Sequence, residues 1–466
     1  MSQRTTSMNR MSALEKRAAL SLASIFSIRM LGLFMLFPVI SLYQDVLIGA
    51  TPALIGFAIG VYGFTQGLLQ IPFGLISDRI GRKPVIFIGL LLFALGSVVA
   101  AMSDTVYGVI AGRALQGCGA IAAAIMALAA DLTREEHRTK AMAMIGMSIG
   151  SAFALALVLG PLFNHWVGLS GLFWFTALMA VGGMLVLMFV VPTPIRQSVH
   201  RDAEPIPAQF KQVLQDAQLL RLDVGIFLLH MILTASFVVF PLVLKKELGL
   251  DPVNHWWVYL PVLLLSVVVM VPFIIIAERH RRMKKVFLGA ILFVGLGQLG
   301  LSIWYQNFWL AMFSLFVFFT AFNLLEASLP SLVSKISPSE SKGTAMGFYS
   351  SSQFLGAFMG GSLGGVLQGQ YGYGSVFMLS AAMALLWFVI ASSMKEPRYL
   401  SSYLLKIGAV EQDQVAHLAA ELTSVPGVAE AVVILEEQVA YLKVDRKALD
   451  EERLLKTAAS EKGLSQ

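Results

Sequence analysis

The chain has 466 residues, of which 57% are hydrophobic and 13% charged, with a mean hydropathy of +0.75 and a net charge of +6. That balance excludes an ordinary soluble globular protein and places most of the chain in a lipid bilayer. The one cysteine, Cys118, lies in an apolar run, so no disulfide framework or cysteine metal site is available, and Lys and Arg scattered between apolar runs argue against nucleic acid as a partner.

The amino terminus is basic and then apolar, but Arg29 interrupts the apolar stretch and no small-residue cleavage site follows, so it reads as a retained first span. At about 20 residues per crossing, polar breaks divide the chain into twelve spans. In order these are 19–43, 52–76, 84–102, 106–130, 140–163, 168–191, 222–244, 255–277, 285–304, 308–333, 343–367 and 374–394. They are expected to be helical, because every backbone group inside hydrocarbon must find a partner within the protein.

Ionisable groups at membrane depth are costly and are functional candidates by default. Four stand out: Arg29 in span 1, Arg113 in span 4, His230 in span 7 and Glu326 in span 10. Glu326 follows Asn323 on one helical face, and it fits equally a proton carrier or a structural pair. Arg29 fits either a packing or a functional role, while His230 reads as a packing histidine bonded to a neighbouring helix. Gln66 and Gln70 share a face of span 2 and either line a cavity or join helices. Asp45, at the far end of span 1, reads as an external proton acceptor or a solvated helix end.

With the amino terminus in the cytoplasm, 30 of the 34 Lys and Arg residues lie on the cytoplasmic side and two, Lys245 and Lys246, on the other. By the positive-inside rule both termini are therefore placed in the cytoplasm.

The second half repeats the first. At an offset of 200 residues "SDRIGRKPVIF" lies over "AERHRRMKKVF", setting Asp78 on Glu278, Arg79 on Arg279 and Arg82 on Arg282. A second echo joins "RTKAMAMIGMSIGSAF" of span 5 to "SKGTAMGFYSSSQFLGAF" of span 11. Parallel halves of six helices, separated by a polar linker, suit a carrier that rocks one half against the other around a central site.

The stretch Gly74 to Lys83, with Asp78, Arg79, Gly81 and Arg82, resembles motif A of the major facilitator superfamily. Arg113 to Gly117, "RALQG", resembles its motif B. Gly150 with Gly160-Pro161 resembles the antiporter motif C, although Ala156 stands where a glycine is usual and Phe163-Asn164 replaces a closing glycine pair. The whole chain, with its small carboxy-terminal domain, is similar to the YajR-type branch of bacterial inner membranes. The resemblance implies a proton-coupled carrier, with Arg113 taking part in proton coupling and motif A acting as a latch that favours the outward-open state and is broken when the protein turns inward.

Physical chemistry supports that latch. Arg79 and Lys83 are adequately explained as charges that orient the loop, whereas Gly74, Asp78, Gly81 and Arg82 are not. Asp131, at the end of span 4, is the expected partner of Arg82. The start of span 11 offers unpaired N–H groups that Asp78 can cap, each such contact contributing about 0.3 to 2 kcal/mol. Gly150, Gly160 and Pro161 are expected to let span 5 bend and pack closely.

Beyond residue 396 the composition turns soluble, and a βαββα order resembles a ferredoxin-like domain without its last strand. No CxxC stands at its first helix, so copper-chaperone chemistry is not expected.

The fold expected is thus all-α transmembrane, twelve helices in two six-helix pseudo-repeats, plus a small α+β ferredoxin-like carboxy-terminal domain. Its parts are residues 12–193, a linker 194–220, residues 221–396 and residues 397–466. The leading function is a proton-driven efflux antiporter for small molecules, not an enzyme, with no cofactor, no metal and no Walker loop for ATP. Its partners are a small-molecule substrate, protons and the bilayer, with self-association or internal docking through the carboxy-terminal domain. A proton-coupled uptake symporter and a non-transporting membrane sensor remain the alternatives.

Overall fold

The computed structural model describes residues 11–193, 206–338, 341–396, 401–407, 412–435, 438–445 and 448–460. Residues 194–205 of the expected linker, and 397–400 and 461–466 of the expected carboxy-terminal domain, lie outside these.

Among the described residues twelve long helices correspond to the expected spans, the first of them shifted: expected at 19–43, it runs Ala13–Phe34 and is followed by a separate 3-10 turn, Ile40–Tyr43. α1 is Ala13–Phe34, α2 Pro52–Ile80 and α3 Arg82–Ala101, and α4 runs as two segments, Val106–Cys118 and Ala122–Asp131. Glu135–Phe189 holds α5 and α6, joined end to end at Gly168. In the second half, α7 is Ala217–Leu242, α8 Trp256–Arg279, α9 Met283–Trp304, α10 Phe308–Ile336, α11 Lys342–Tyr371 and α12 Tyr373–Ser392. Among the described residues, ten helical stretches are long and apolar enough to cross a membrane, one of them containing both α5 and α6. Glycine and serine dilute α11 and keep it out of that group.

Local chemistry sets the helix ends. The Thr51 hydroxyl accepts from Leu54 N at 3.3 Å and Pro52 occupies the first turn, so α2 begins there. It ends at Gly81, whose φ of 100° is open to glycine and strained for other residues, and α3 starts at the next residue. Span 4 was expected to be continuous and instead breaks between Cys118 and Ala122. Gly119 there lies so close to the Gly89 carbonyl of α3 that a Cβ has no room.

The halves meet most closely along α2 and α11. Gly56 faces Gly361 and Gly365, and Gly60 faces the Phe358 backbone, so the two helices touch backbone to backbone. These contacts lie toward the end of the bundle opposite the chain termini. At the same end Lys246 Nζ meets Asp45 Oδ2 at 2.9 Å, and Gln368 donates to Gln44 at 3.1 Å. The structure is therefore shut at that end.

The carboxy-terminal domain has β1 (Ser401–Lys406), α13 (Val415–Ser424), β2 (Val428–Ile434), β3 (Val439–Val444) and α14 (Glu451–Ser460). Its sheet has the order β1-β3-β2 and is antiparallel throughout. One face packs Leu442 and Val444 with Leu418, Leu422 and Leu454 from the two helices. The other face, carrying Val439, Tyr441 and Lys443, is buried as well, though those helices lie on the opposite side. The helical bundle meets this side of the domain: Lys443 Nζ donates to the Ser334 carbonyl at the end of α10 at 2.8 Å, and Arg281 donates to Asp445 at 2.8 Å.

Candidate functional site

A cavity of about 130 Å³ lies between the halves. Its walls are mostly apolar, with Phe26, Phe34 and Phe37 of the first half and Phe354 of the second, and they carry a few polar groups from both halves. This is the usual make-up of a small-molecule site, an apolar chamber with sparse orienting groups.

On the first half's side, Arg29 is completely buried. Its Nη2 bonds Gln66 Oε1, and Gln66 Nε2 donates at 2.9 Å to Oε1 of Gln70, a cavity-lining residue. The guanidinium also lies 5.8 Å from the ring centre of Tyr62 and 5.6 Å from that of Phe93. Its Nε and Nη1 have no hydrogen-bond partner among the described residues, and neither has the Tyr62 hydroxyl.

Arg113 is held differently. It donates to the carbonyls of Ala58 and Ile59 of α2 at 3.4 and 3.3 Å and to Gln116 at 3.0 Å, with its guanidinium 4.9 Å from the Tyr62 ring centre. Gln116 in turn donates to Ser97 of α3 at 2.7 Å. This arginine ties α4 to α2 and α3 and does not line the cavity.

On the second half's side, His230 of α7, Glu326 of α10 and Gln353 of α11 converge. Gln353 Nε2 lies 2.7 Å from His230 Nε2 and 3.4 Å from Glu326 Oε1, and the histidine and carboxylate are 3.8 Å apart. His230 is thus one arm of a polar cluster on the cavity wall, bonded to a neighbouring helix through Gln353. Asn323 points elsewhere, donating to Ser266 of α8 at 2.8 Å.

The loop between α2 and α3 folds around Arg82, which is 2% exposed. Its guanidinium bonds Asp78, donates to Ser77 Oγ at 2.9 Å and lies 3.5 Å from Asp131 Oδ2. The Arg82–Asp131 pairing is as expected. Asp78, however, bonds Arg82, and among the described residues no bond joins it to the start of α11. Lys83 does more than orient the loop: it donates to the Val191 carbonyl at 2.6 Å and to Thr193 at 3.1 Å, tying the loop to the end of α6. Arg79 is exposed, and Gly74 is buried with its carbonyl accepting from Ser77 Oγ at 2.7 Å. The repeated loop carries a counterpart with signs exchanged, Lys335 to Glu278 at 2.6 Å. In α5, Gly160 sits against the Met35 carbonyl and Pro161 lies inside the helix, whereas a Cβ at Gly150 would meet open space.

Sequence reasoning missed Gln353, Ser266, and Asp223, a carboxylate 8% exposed in α7. Asp223 had a legible signal, a carboxylate within an apolar run. Gln353 had none, since a neutral amide in a polar-rich helix announces nothing until its neighbours are known. The bond that Arg134 donates to the Glu15 carboxylate at the start of α1, at 3.0 Å, was also unforeseen.

With a twelve-helix bundle, a cavity at the seam of two halves and a charged loop repeated in each, the architecture is specific. The family model described as Major Facilitator Superfamily matches residues 22–284 and 222–408. The chain belongs to the major facilitator superfamily. A second model, the YajR YAM domain, matches residues 409–453, the carboxy-terminal domain. Among superfamily relatives, the chain is 48% identical to the inner membrane transport protein YajR of Escherichia coli (strain K12), over 93% of this chain and 95% of that protein. It is 26% identical to the multidrug resistance protein MdtH of Proteus mirabilis, over 72% and 82% respectively. A bacterial homolog of the human lysosomal transporter Spinster superposes with a TM-score of 0.66 at 11% identity, covering 82% of this chain and 98% of that one, a likeness of fold.

Proposed function

We propose that this chain is a proton-coupled secondary transporter that expels small organic molecules by alternating access, in a bacterial inner membrane with both termini in the cytoplasm. The observation that carries the reading is the meeting of three helices at His230 and Gln353, which line a cavity between two pseudo-repeated halves, with Glu326 in contact behind them. A carboxylate in that position can take up and release a proton as the cavity is exposed to one side and then the other, and the exchange between neighbours couples substrate to proton. The names of the relatives, an inner membrane transport protein and a multidrug resistance protein, support transport and the outward direction. The contacts at the closed end join the two halves, as one gate of such a cycle must, whereas the Arg82 cluster at the other end is built within the first half and is formed in this same state.

The test is flux in proteoliposomes with an imposed pH gradient. Wild-type protein is expected to move substrate against its gradient as protons flow down theirs. Glu326→Gln is expected to lose gradient-driven accumulation while keeping downhill exchange. Flux that ignores the pH gradient overturns proton coupling, and no flux of any compound in either direction overturns transport.

A further inference from the structure

The cavity has a polarity set by hydrogen-bond arithmetic. A guanidinium only donates, so Gln66 must turn its carbonyl oxygen toward Arg29, as it does. The Gln66 amide nitrogen is then left to donate to the oxygen of Gln70 at 2.9 Å. That fixes Gln70 in turn: its oxygen is used, and its NH₂ group has no partner among the described residues. Gln70 is 4% exposed and lines the cavity. The chain Arg29, Gln66, Gln70 therefore ends in an N–H donor, backed through two amides by a buried cation that pairs with no carboxylate among the described residues.

The second half's contribution to the cavity runs the other way. A carboxylate only accepts, so Gln353 turns its NH₂ group toward Glu326 at 3.4 Å and toward His230 Nε2 at 2.7 Å. Its oxygen has no partner among the described residues, and Gln353 lines the cavity beside His230. This wall ends in an acceptor backed by a carboxylate. Phe34, Phe37 and Phe354 line the same cavity.

We infer that the cavity binds a small dipolar aromatic molecule, with a carboxylate or other acceptor group held by Gln70 and an amine or other donor group held by Gln353. At about 130 Å³ the cavity is of single-ring scale but a little below the roughly 150 Å³ that accommodates bare benzene, so a ring carrying two polar groups must widen it on binding. The inference deepens the transport reading and rests on it for the identity of the cavity as the substrate site.

The experiment is equilibrium binding to the full chain in lipid nanodiscs, without any gradient, using four single-ring probes: 4-(aminomethyl)benzoate, benzoate, benzylamine and benzyl alcohol. The dipolar probe is expected to bind at least tenfold more tightly than any of the others. Gln70→Glu keeps the acceptor for Gln66 but presents an acceptor to the cavity. It is expected to weaken benzoate at least tenfold and to strengthen benzylamine. Gln70→Leu, which cannot hydrogen-bond, is expected to abolish the preference for the carboxylate without reversing it, and it serves if the charged variant fails to fold. Equal binding of the four probes, no binding of any, or an order unchanged in both Gln70 variants overturns the inference. Binding as expected with no flux of any compound sinks the transport reading alone, and proton-driven flux of other compounds without this polarity sinks the inference alone.

Discussion

Asp45 and Lys246 are 201 residues apart and join the two halves of the bundle through a 2.9 Å ion pair at the end opposite the chain termini. Asp45 is 67% exposed and Lys246 37%, so the pair contributes only about 0.2 to 1 kcal/mol. Asp45→Asn is therefore expected to raise the population open at that end by no more than about fivefold. The readout is labelling of a cysteine placed on the cavity wall in a Cys118→Ser background. Exchanging the two charges in a double variant should restore the wild-type rate, and 1 M salt should mimic the single variant. A rate unaffected by the single variant and by salt removes the pair from the gate.

The glycine seam between α2 and α11 is the stronger part of the same closure. A Cβ at Gly361 would run into the Gly56 carbonyl and the Gly60 backbone, and backbone cannot swing aside as a side-chain tip can. Gly361→Ala is expected to separate the helices at this end, increasing labelling there and lowering the melting temperature. Gly150→Ala is the control, since its Cβ meets nothing, and alanine favours a helix over glycine by about 1 kcal/mol. It is expected to leave the melting temperature unchanged or raised. Equal behaviour of the two variants would show that close approach at Gly361 does not hold the closure.

Span number and the repeat were legible in the chain because hydrocarbon imposes a length and a polarity on each crossing and the loops carry the charges. The Arg82–Asp131 pair was legible for the same reason, as opposite charges at neighbouring helix ends. What lay hidden depended on which faces of the helices meet. His230 and Glu326 sit on α7 and α10, 96 positions apart, and only packing brings Gln353 of α11 between them. Arg29 could not be assigned until Gln66 was seen to share its guanidinium. The break in α4 at Gly119 reflects contact with α3, which periodicity within α4 does not record.

Arg82, at the start of α3, holds Asp78 and Ser77 of the last turn of α2 and Asp131 of α4, whose side chain is fully buried. Removing one partner of a buried pair typically costs about 3 to 5 kcal/mol. Arg82→Met is expected to lower the melting temperature by several degrees. Asp78→Asn leaves the Arg82–Asp131 contact in place, so its effect on stability is expected to be smaller, with any change falling on the balance between open states. A double-mutant cycle of Arg82→Met with Asp131→Asn is expected to show coupling of about 0.5 to 3 kcal/mol. Strictly additive effects would mean that the two residues stabilise the loop independently.

Lys443 makes docking of the carboxy-terminal domain depend on pH, with a definite sign. It is 2% exposed and donates to the Ser334 carbonyl of α10. Burial, with Lys342 nearby as a second cation and Glu430 opposing, brings its ammonium down to about 8, from about 10.4 for a free lysine. The docked state thus carries fewer protons than the released state between about pH 8 and 10.4. Docking must then strengthen as pH rises through that window. Below it the lysine is charged in both states and adds no slope. Spin labels on the bundle and on the domain, read as the fraction released from pH 7 to 10.5, are expected to show release falling above about pH 8. Lys443→Met should flatten the curve in that window. Asp445→Asn, which removes the 2.8 Å contact with Arg281, should raise release at every pH and leave the slope unchanged. A slope of the opposite sign, or one that survives Lys443→Met, would show that this lysine does not set the docking equilibrium.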